Sequence, residues 1–174
     1  MDKYLESERL MLRKLTSEDF TPLFVILNDE ETVKYFVERP FTEEKVKKMV
    51  EVIPQEHYAI ILKKDNAMIG YLDFHPWFMR DTYDIGWTVD KNYRNQGIVT
   101  EAASLLMKYA FKELNAHRLV ATCQPENVPS NRVCEKLNMR LEGKFKKCIY
   151  DPNEDYWLDE NLHAILKEEY KNED

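Results

Sequence analysis

The chain has 174 residues, 44% of them hydrophobic and 33% charged, a balance that fits one folded domain over residues 1–174 and excludes a disordered chain. Its 25 Lys and Arg face 32 Asp and Glu, a net charge of −7, which disfavours nucleic acid as a partner because phosphate contacts need Lys and Arg. Four glycines, with no GxxxxGK[ST] and no GxGxxG, exclude the P-loop and Rossmann phosphate cradles.

Leu10, Leu12 and Leu15 alternate with polar residues and predict a strand across residues 7–15. Thr16-Ser17-Glu18-Asp19 supplies an N-cap and an acidic first turn for a helix whose inner face holds Phe20, Leu23, Phe24 and Leu27. A second, highly charged helix over residues 43–52 follows Thr42, with Val46, Met49 and Val50 inward. Strands His57–Leu62 and Met68–His75 flank Lys63-Lys64-Asp65-Asn66, the turn of a hairpin. A strand over Tyr83–Asp90 carries Gly86, the mark of a bulge or a close approach. Residues 97–114 place Ile98, Ala102, Leu105, Leu106, Tyr109 and Leu114 at helical spacing and predict a long amphipathic helix. Strand Arg118–Cys123 comes next, then a helix over Asn127–Leu137 with Pro129 in its first turn and Asn138 in a left-handed cap. Two closing strands span residues 140–150 and 155–166, so the order describes a mixed α+β sheet with helices on its faces.

No apolar run approaches the ~18 residues of a membrane span, and the opening MDKYLESERL lacks an apolar leader. Cys123, Cys134 and Cys148 are odd in number and show no CxxC spacing, so reduced thiols in a cytoplasmic protein are expected. His57, His75, His117 and His163 are scattered singly and no HExxH occurs, so no metal is expected.

Two segments carry candidate chemistry. Val89–Gly97, VDKNYRNQG, joins a strand to the long helix, where free N–H groups and the positive end of the helix dipole favour an anion. Gly97 permits close approach, Asn95 can enter the left-handed region, and Arg94 adds charge. These features describe a diphosphate cradle or an ordinary strand–helix turn. The second segment is Asn127-Val128-Pro129-Ser130-Asn131-Arg132 with Glu135-Lys136-Leu137, read either as helix caps or as the other wall of the same cleft. From Arg132 to Lys147 six cations (Arg132, Lys136, Arg140, Lys144, Lys146, Lys147) face two anions (Glu135, Glu142), a local +4 that suits a nucleotide phosphate or a solvated face.

Tyr93-Arg94-Asn95-Gln96-Gly97-Ile98-Val99-Thr100-Glu101-Ala102 resembles the acetyl-CoA pyrophosphate loop, [QR]xxGx[GA], of the GNAT N-acetyltransferases. The Thr-Glu-Ala ending is similar to the RimJ/RimL-like branch, which contains ribosomal-protein N-terminal acetyltransferases. Asn127xxSer130 with Glu135-Lys136-Leu137-Asn138-Met139 resembles that branch's NxxSxxxxEKLGF, and Glu8-Arg9-Leu10 with Leu12-Arg13 its opening ERLxLR. Trp157-Leu158-Asp159 and Leu166-Lys167-Glu168-Glu169-Tyr170 match its ending, so the likeness covers nearly the whole chain.

The resemblance implies a mostly antiparallel GNAT sheet with acetyl-CoA in the opening between two splayed parallel strands, residues 83–90 and 118–123. It implies that Trp87, Thr88 and Val89 hold the pantetheine arm and polarise the thioester, and that the amides of Gln96, Gly97, Ile98, Val99 and Thr100 hold the diphosphate. Arg94, Asn95, Arg132 and Lys136 border the donor, and Asn127 binds pantetheine. Asp84 matches the carboxylate that takes the amine proton through water, or is a solvent-facing strand residue. Cys134 stands where many members carry Tyr, which leaves Ser130 to serve the departing thiolate. Asn95, Val99 and Asn138 replace the family's usual small residues, and Val99 adds bulk beside the diphosphate.

Acceptor recognition falls to helices 17–36 and 43–52, the loop Phe74–Thr82 and the hairpin 143–157, where Tyr35, Phe36, His75, Trp77, Phe78 and Tyr150 are candidate walls or core residues. The expected reaction moves an acetyl group to a primary amine by direct attack, on a protein N-terminal α-amine, a polyamine or a small-molecule amine. The competing class is a non-catalytic CoA-binding regulatory module. A monomer or homodimer acting on neither nucleic acid nor membrane is expected.

Overall fold

A computed structural model describes residues 4–171. β1 (Leu5–Glu6) and β2 (Leu10–Lys14) open the chain, followed by a 3-10 turn over Ser17–Asp19 and helices α1 (Phe20–Leu27), α2 (Glu30–Val33) and α3 (Glu43–Glu51). Strands β3 (His57–Leu62), β4 (Ala67–Pro76) and β5 (Thr82–Val89) lead into α4 (Ile98–Lys112). β6 (Arg118–Cys123), α5 (Val128–Lys136), β7 (Arg140–Asp151) and β8 (Tyr156–Leu166) complete the chain.

One eight-stranded sheet runs in the order β1-β2-β3-β4-β5-β6-β8-β7. Every pairing is antiparallel except β5 with β6. Helices cover both faces, as the period of their apolar residues requires. α4 buries Ile98, Ala102, Ala103, Leu106, Met107, Ala110 and Phe111 in one core, with Leu10, Ile60, Ile85 and Leu119 of the sheet. On the opposite face Leu23 and Leu27 of α1 and Val46 and Val50 of α3 pack on Ala59, Ile61 and Tyr71. Residues of β5 alternate between the faces, which puts Tyr83, Ile85, Trp87 and Val89 with the α4 core.

Local chemistry sets the element ends. The Thr16 N–H donates to Asp19 Oδ2 at 2.8 Å, and Arg13 grips the same carboxylate with two N–H groups at 2.6 and 2.8 Å. Asn138, at φ 57°, ends α5 as expected: the Met139 N–H reaches Cys134 O at 3.0 Å, the long bond of a left-handed cap. Gly86 lies in an unbroken β4–β5 register and marks no bulge; a Cβ there would stand 3.2 Å from Asp73 Oδ2, so the glycine makes room for that carboxylate. The second half of the β7–β8 hairpin does bulge, and Asp159 pins the bulge by accepting from the Lys147 N–H at 2.8 Å and Lys146 Nζ at 2.6 Å.

Candidate functional site

β5 and β6 pair through Thr82 with Arg118, Tyr83 with Leu119 and Asp84 with Val120, and through no further residues. Beyond Asp84 they part, β5 running on to Val89 and β6 to Cys123. Their facing edges then carry backbone N–H and C=O groups with no ladder partner, a polar wall ready for a ligand. The gap opens into a cleft of about 610 Å³.

The loop from β5 to α4 closes one end of this cleft. Asn95 (φ 60°) and Gly97 (φ 74°) both take the left-handed conformation, as the turn chemistry predicted. Side-chain oxygens of Asp29, Thr42 and Asn127 cap α2, α3 and α5, whereas α4 begins on Gly97 with no side-chain cap. Ile98, Val99 and Thr100 of its first turn border the cleft. Uncapped amides and the helix dipole together favour an anion at this point.

Residues distant in sequence hold the loop from behind. Arg9 Nη2 donates to Gln96 O at 2.8 Å, and its Nε lies 2.5 Å from Glu101 Oε2. The Ser7 hydroxyl donates to the other Glu101 oxygen at 2.6 Å. Thus the Glu8-Arg9-Leu10 and Thr100-Glu101-Ala102 motifs form one network, a link that neither segment reveals alone. On the other side Arg94 bonds Glu31 at 2.5 Å and Thr32 Oγ1 at 2.8 Å, and Lys91 pairs with Asp29. Arg94 therefore fastens the loop to α2 while still bordering the cleft.

Trp87, Thr88 and Val89 line the cleft from β5, and Asn95, Gly97, Asn127, Ser130, Arg132 and Lys136 border it as well. Arg132 and Lys136 bring part of the basic segment to the opening. Gln96 is not part of the wall: its side-chain amide turns back to Asn92 O at 3.1 Å, and its carbonyl is the group Arg9 holds.

The Asn127 side chain caps α5 by accepting from the Ser130 N–H at 3.3 Å. The Ser130 hydroxyl is free of that duty. Its oxygen accepts from the Trp87 indole N–H at 3.2 Å, which leaves the hydroxyl hydrogen to donate into the cleft.

Asp84 stands at the closed end of the gap, beside His75 of β4 and Val120 of β6, and is not a cleft-wall residue. Burial pushes its carboxyl up to about 6; Asp73 adds to the rise and His75 opposes it. The carboxylates that do border this inner part of the cleft are Asp73 and Glu160. Burial raises Glu160, against the hydrogen bond from Thr122. Asp73 accepts at 2.6 Å from His57 Nδ1, which orients it. Both were missed in sequence because β4 and β8 come to the opening only when the sheet assembles.

On the acceptor side Tyr35 and Phe36 line the cleft. The Tyr35 hydroxyl donates to Glu126 O at 3.1 Å, and Gln124 Nε2 donates to Tyr35 O at 3.1 Å. Past Tyr35 and Gln124 lies a second cleft of about 960 Å³, between the α1–α2 segment and the β7–β8 hairpin, with Tyr156 and Trp157 on its wall. His75, Trp77, Phe78 and Tyr150 border neither cleft.

A gap between two parting parallel strands, an uncapped helix start and the Ser130 hydroxyl together form an opening suited to a long ligand with an anionic group. Comparison with known proteins makes this specific. Residues 9–140 match the acetyltransferase (GNAT) domain, and the chain belongs to that family, whose donor is acetyl-CoA. It is 42% identical over 170 residues to the uncharacterized N-acetyltransferase YnaD of Bacillus subtilis (strain 168), covering 96% of this chain and 99% of that protein. A GNAT-family acetyltransferase from Bacillus anthracis has the same fold, with a TM-score of 0.91 at 42% identity over 96% of this chain and all of that one. The ribosomal-protein-serine acetyltransferase of Escherichia coli (strain K12) is 27% identical over 175 residues, 92% of this chain and 94% of its own. Among the described residues no helix is long and apolar enough to cross a membrane.

Proposed function

We propose that this acetyltransferase acts on the α-amine at a protein N-terminus in the cytoplasm. The amides at the start of α4 hold the donor diphosphate, with Arg132 and Lys136 beside it. Backbone groups of Trp87–Val89 hold the pantetheine and polarise the thioester carbonyl. The amine nitrogen attacks the carbonyl carbon, the carbon–sulfur bond breaks, and the Ser130 hydroxyl donates to the departing thiolate. The proton lost by the amine passes through water to the Asp84 carboxylate, with Asp73 and Glu160 lining the way.

The observation that supports the acceptor choice is the second cleft past Tyr35 and Gln124, about 960 Å³. The second cleft is large enough for a peptide beyond its terminal residue, and one relative is named for a ribosomal protein's serine. A polyamine is the second reading, favoured by Glu30, Glu126, Glu154 and Asp159 around the second cleft and opposed by Lys34, Arg39 and Lys147 in the same wall.

The test is an amine panel with acetyl-CoA, reading free thiol and acetylated product together. Peptides with free N-termini turning over ahead of spermidine and small amines is the expected result. Preference for spermidine transfers the assignment to polyamines. Tight acetyl-CoA binding with no turnover on any amine overturns catalysis and leaves a regulatory module.

A further inference from the structure

Between the end of β6, the middle of β8 and the inner face of α5 lies a group of side chains that the transfer reaction does not use. Cys123, Cys134 and His163 are all buried, and one ligating atom from each lies within 4.8 Å of the others. Their places in sequence gave no sign of this: the three sit on different elements, without metal-motif spacing. Asn161 pairs with Cys123 across β6 and β8. Asn131 Oδ1 accepts from Asn161 Nδ2 at 2.9 Å and faces His163 Nε2 at 3.0 Å. Nε2 therefore carries the imidazole proton, and Nδ1 keeps a lone pair. Both His163 Nδ1 and Asn161 Oδ1 are buried with no hydrogen-bond partner, and the two residues are 4% and 9% exposed. Buried acceptors normally find a donor or a cation.

We propose that Cys123, Cys134 and His163 form a binding site for a soft divalent cation of the zinc class. Two thiols and an imidazole select zinc or cadmium over magnesium or calcium, which prefer oxygen ligands. A tetrahedral zinc with Zn–S near 2.3 Å sets its sulfurs about 3.8 Å apart, so the cluster must contract by at most ~1 Å to embrace it. Binding replaces two S–H bonds with two Zn–S bonds and releases two protons to solvent, while the imidazole adds a neutral nitrogen. Two thiolates cancel the dication's charge, which makes the buried centre neutral.

Cys123 also borders the donor cleft. An ion at this site would therefore lie against the acetyl-CoA opening, and its loading would slow acetyl transfer. The site does not depend on which amine is acetylated.

The test uses the full chain with Cys148→Ser, because Cys148 is the exposed thiol. Cobalt is titrated first, followed by displacement with zinc. The expected result is one cobalt per chain with an intense near-ultraviolet thiolate-to-cobalt band, lost on adding zinc. Cys134→Ser should weaken zinc binding at least tenfold, and His163→Gln, which keeps an N–H for Asn131, should weaken it as well. Melting curves show whether each variant is folded, and Cys134→Ala serves if Cys134→Ser is not. Zinc should inhibit acetyl transfer reversibly, with chelator restoring it, and should fail to inhibit folded Cys134→Ser. No thiolate–cobalt band, or a band unchanged in folded Cys134→Ser or Cys134→Ala, overturns the site.

Discussion

Arg9 lies just before β2, outside the cleft, yet it grips the loop that we propose receives the diphosphate. Replacing it with Ala removes a charge-assisted hydrogen bond to Gln96 O and an ion pair to Glu101. Such a hydrogen bond contributes about 1.5 kcal/mol. The Arg9 side chain is 45% exposed, so the ion pair adds only about 0.5 kcal/mol after solvent screening. Glu101, left without its cationic partner though still bonded by Ser7, opposes a phosphate at the helix start by roughly 0.5 kcal/mol. Part of the hydrogen-bond loss falls on the free protein, so donor binding weakens by roughly 1–2 kcal/mol, about 5- to 30-fold in Kd. Calorimetric titration with acetyl-CoA measures this directly. Arg9→Ala/Glu101→Gln should recover the electrostatic part, and kcat at saturating donor should change little. An unchanged Kd in Arg9→Ala would mean that the loop holds its shape without the clamp, and the reasoning fails.

Ser130→Ala should lower kcat by roughly 10- to 1,000-fold with little effect on acetyl-CoA affinity, since a bond to the thiolate is stronger than one to the thioester. Asn127, not the Ser130 hydroxyl, caps α5, so the melting temperature should hold; a normal kcat removes Ser130 from the mechanism. Asp84 has a folded-state carboxyl raised to about 6 from 3.8, so its favourable contribution to stability is present below pH 4 and is lost as pH rises through 6. Asp84→Asn should therefore stabilise the fold by roughly 1–3 kcal/mol at pH 7 and by little near pH 4, while slowing transfer. Equal stabilisation at both pH values in melting experiments refutes the burial argument.

Where side-chain period and turn chemistry act locally, the expected elements are present, most with ends shifted by one to three residues. β3 and β6 occupy the expected spans, and Asn95 and Asn138 take the expected left-handed conformations. β1 was not foreseen, and the helical stretch expected over residues 17–36 is divided into a 3-10 turn, α1 and the separate short α2. Two residues of strand and four of helix are too short to show a period, and each exists through contacts elsewhere: β1 through its pairing with β2, and α2 through the Asp29 cap and the grip of Arg94 on Glu31 and Thr32. The turn from β5 into α4 was legible because one continuous segment builds it. The Arg9 clamp, the His57–Asp73 pair and the Cys123–Cys134–His163 cluster were not, because each joins separate elements that only the sheet order brings together. Asp84 was legible as a carboxylate on the right strand, but its place at the closed end of the gap depends on where β5 and β6 stop pairing.

The most direct test is equilibrium binding of acetyl-CoA to the wild-type chain and to Gly97→Val, measured by calorimetry under the same conditions. Gly97 sits at φ 74°, where a branched side chain is strained, and it begins the helix whose free amides we propose receive the diphosphate. The wild type should bind one donor per chain, and folded Gly97→Val should bind none that titration detects. Equal affinity in the two proteins would contradict the placement of the donor at the start of α4, and with it the account of the site.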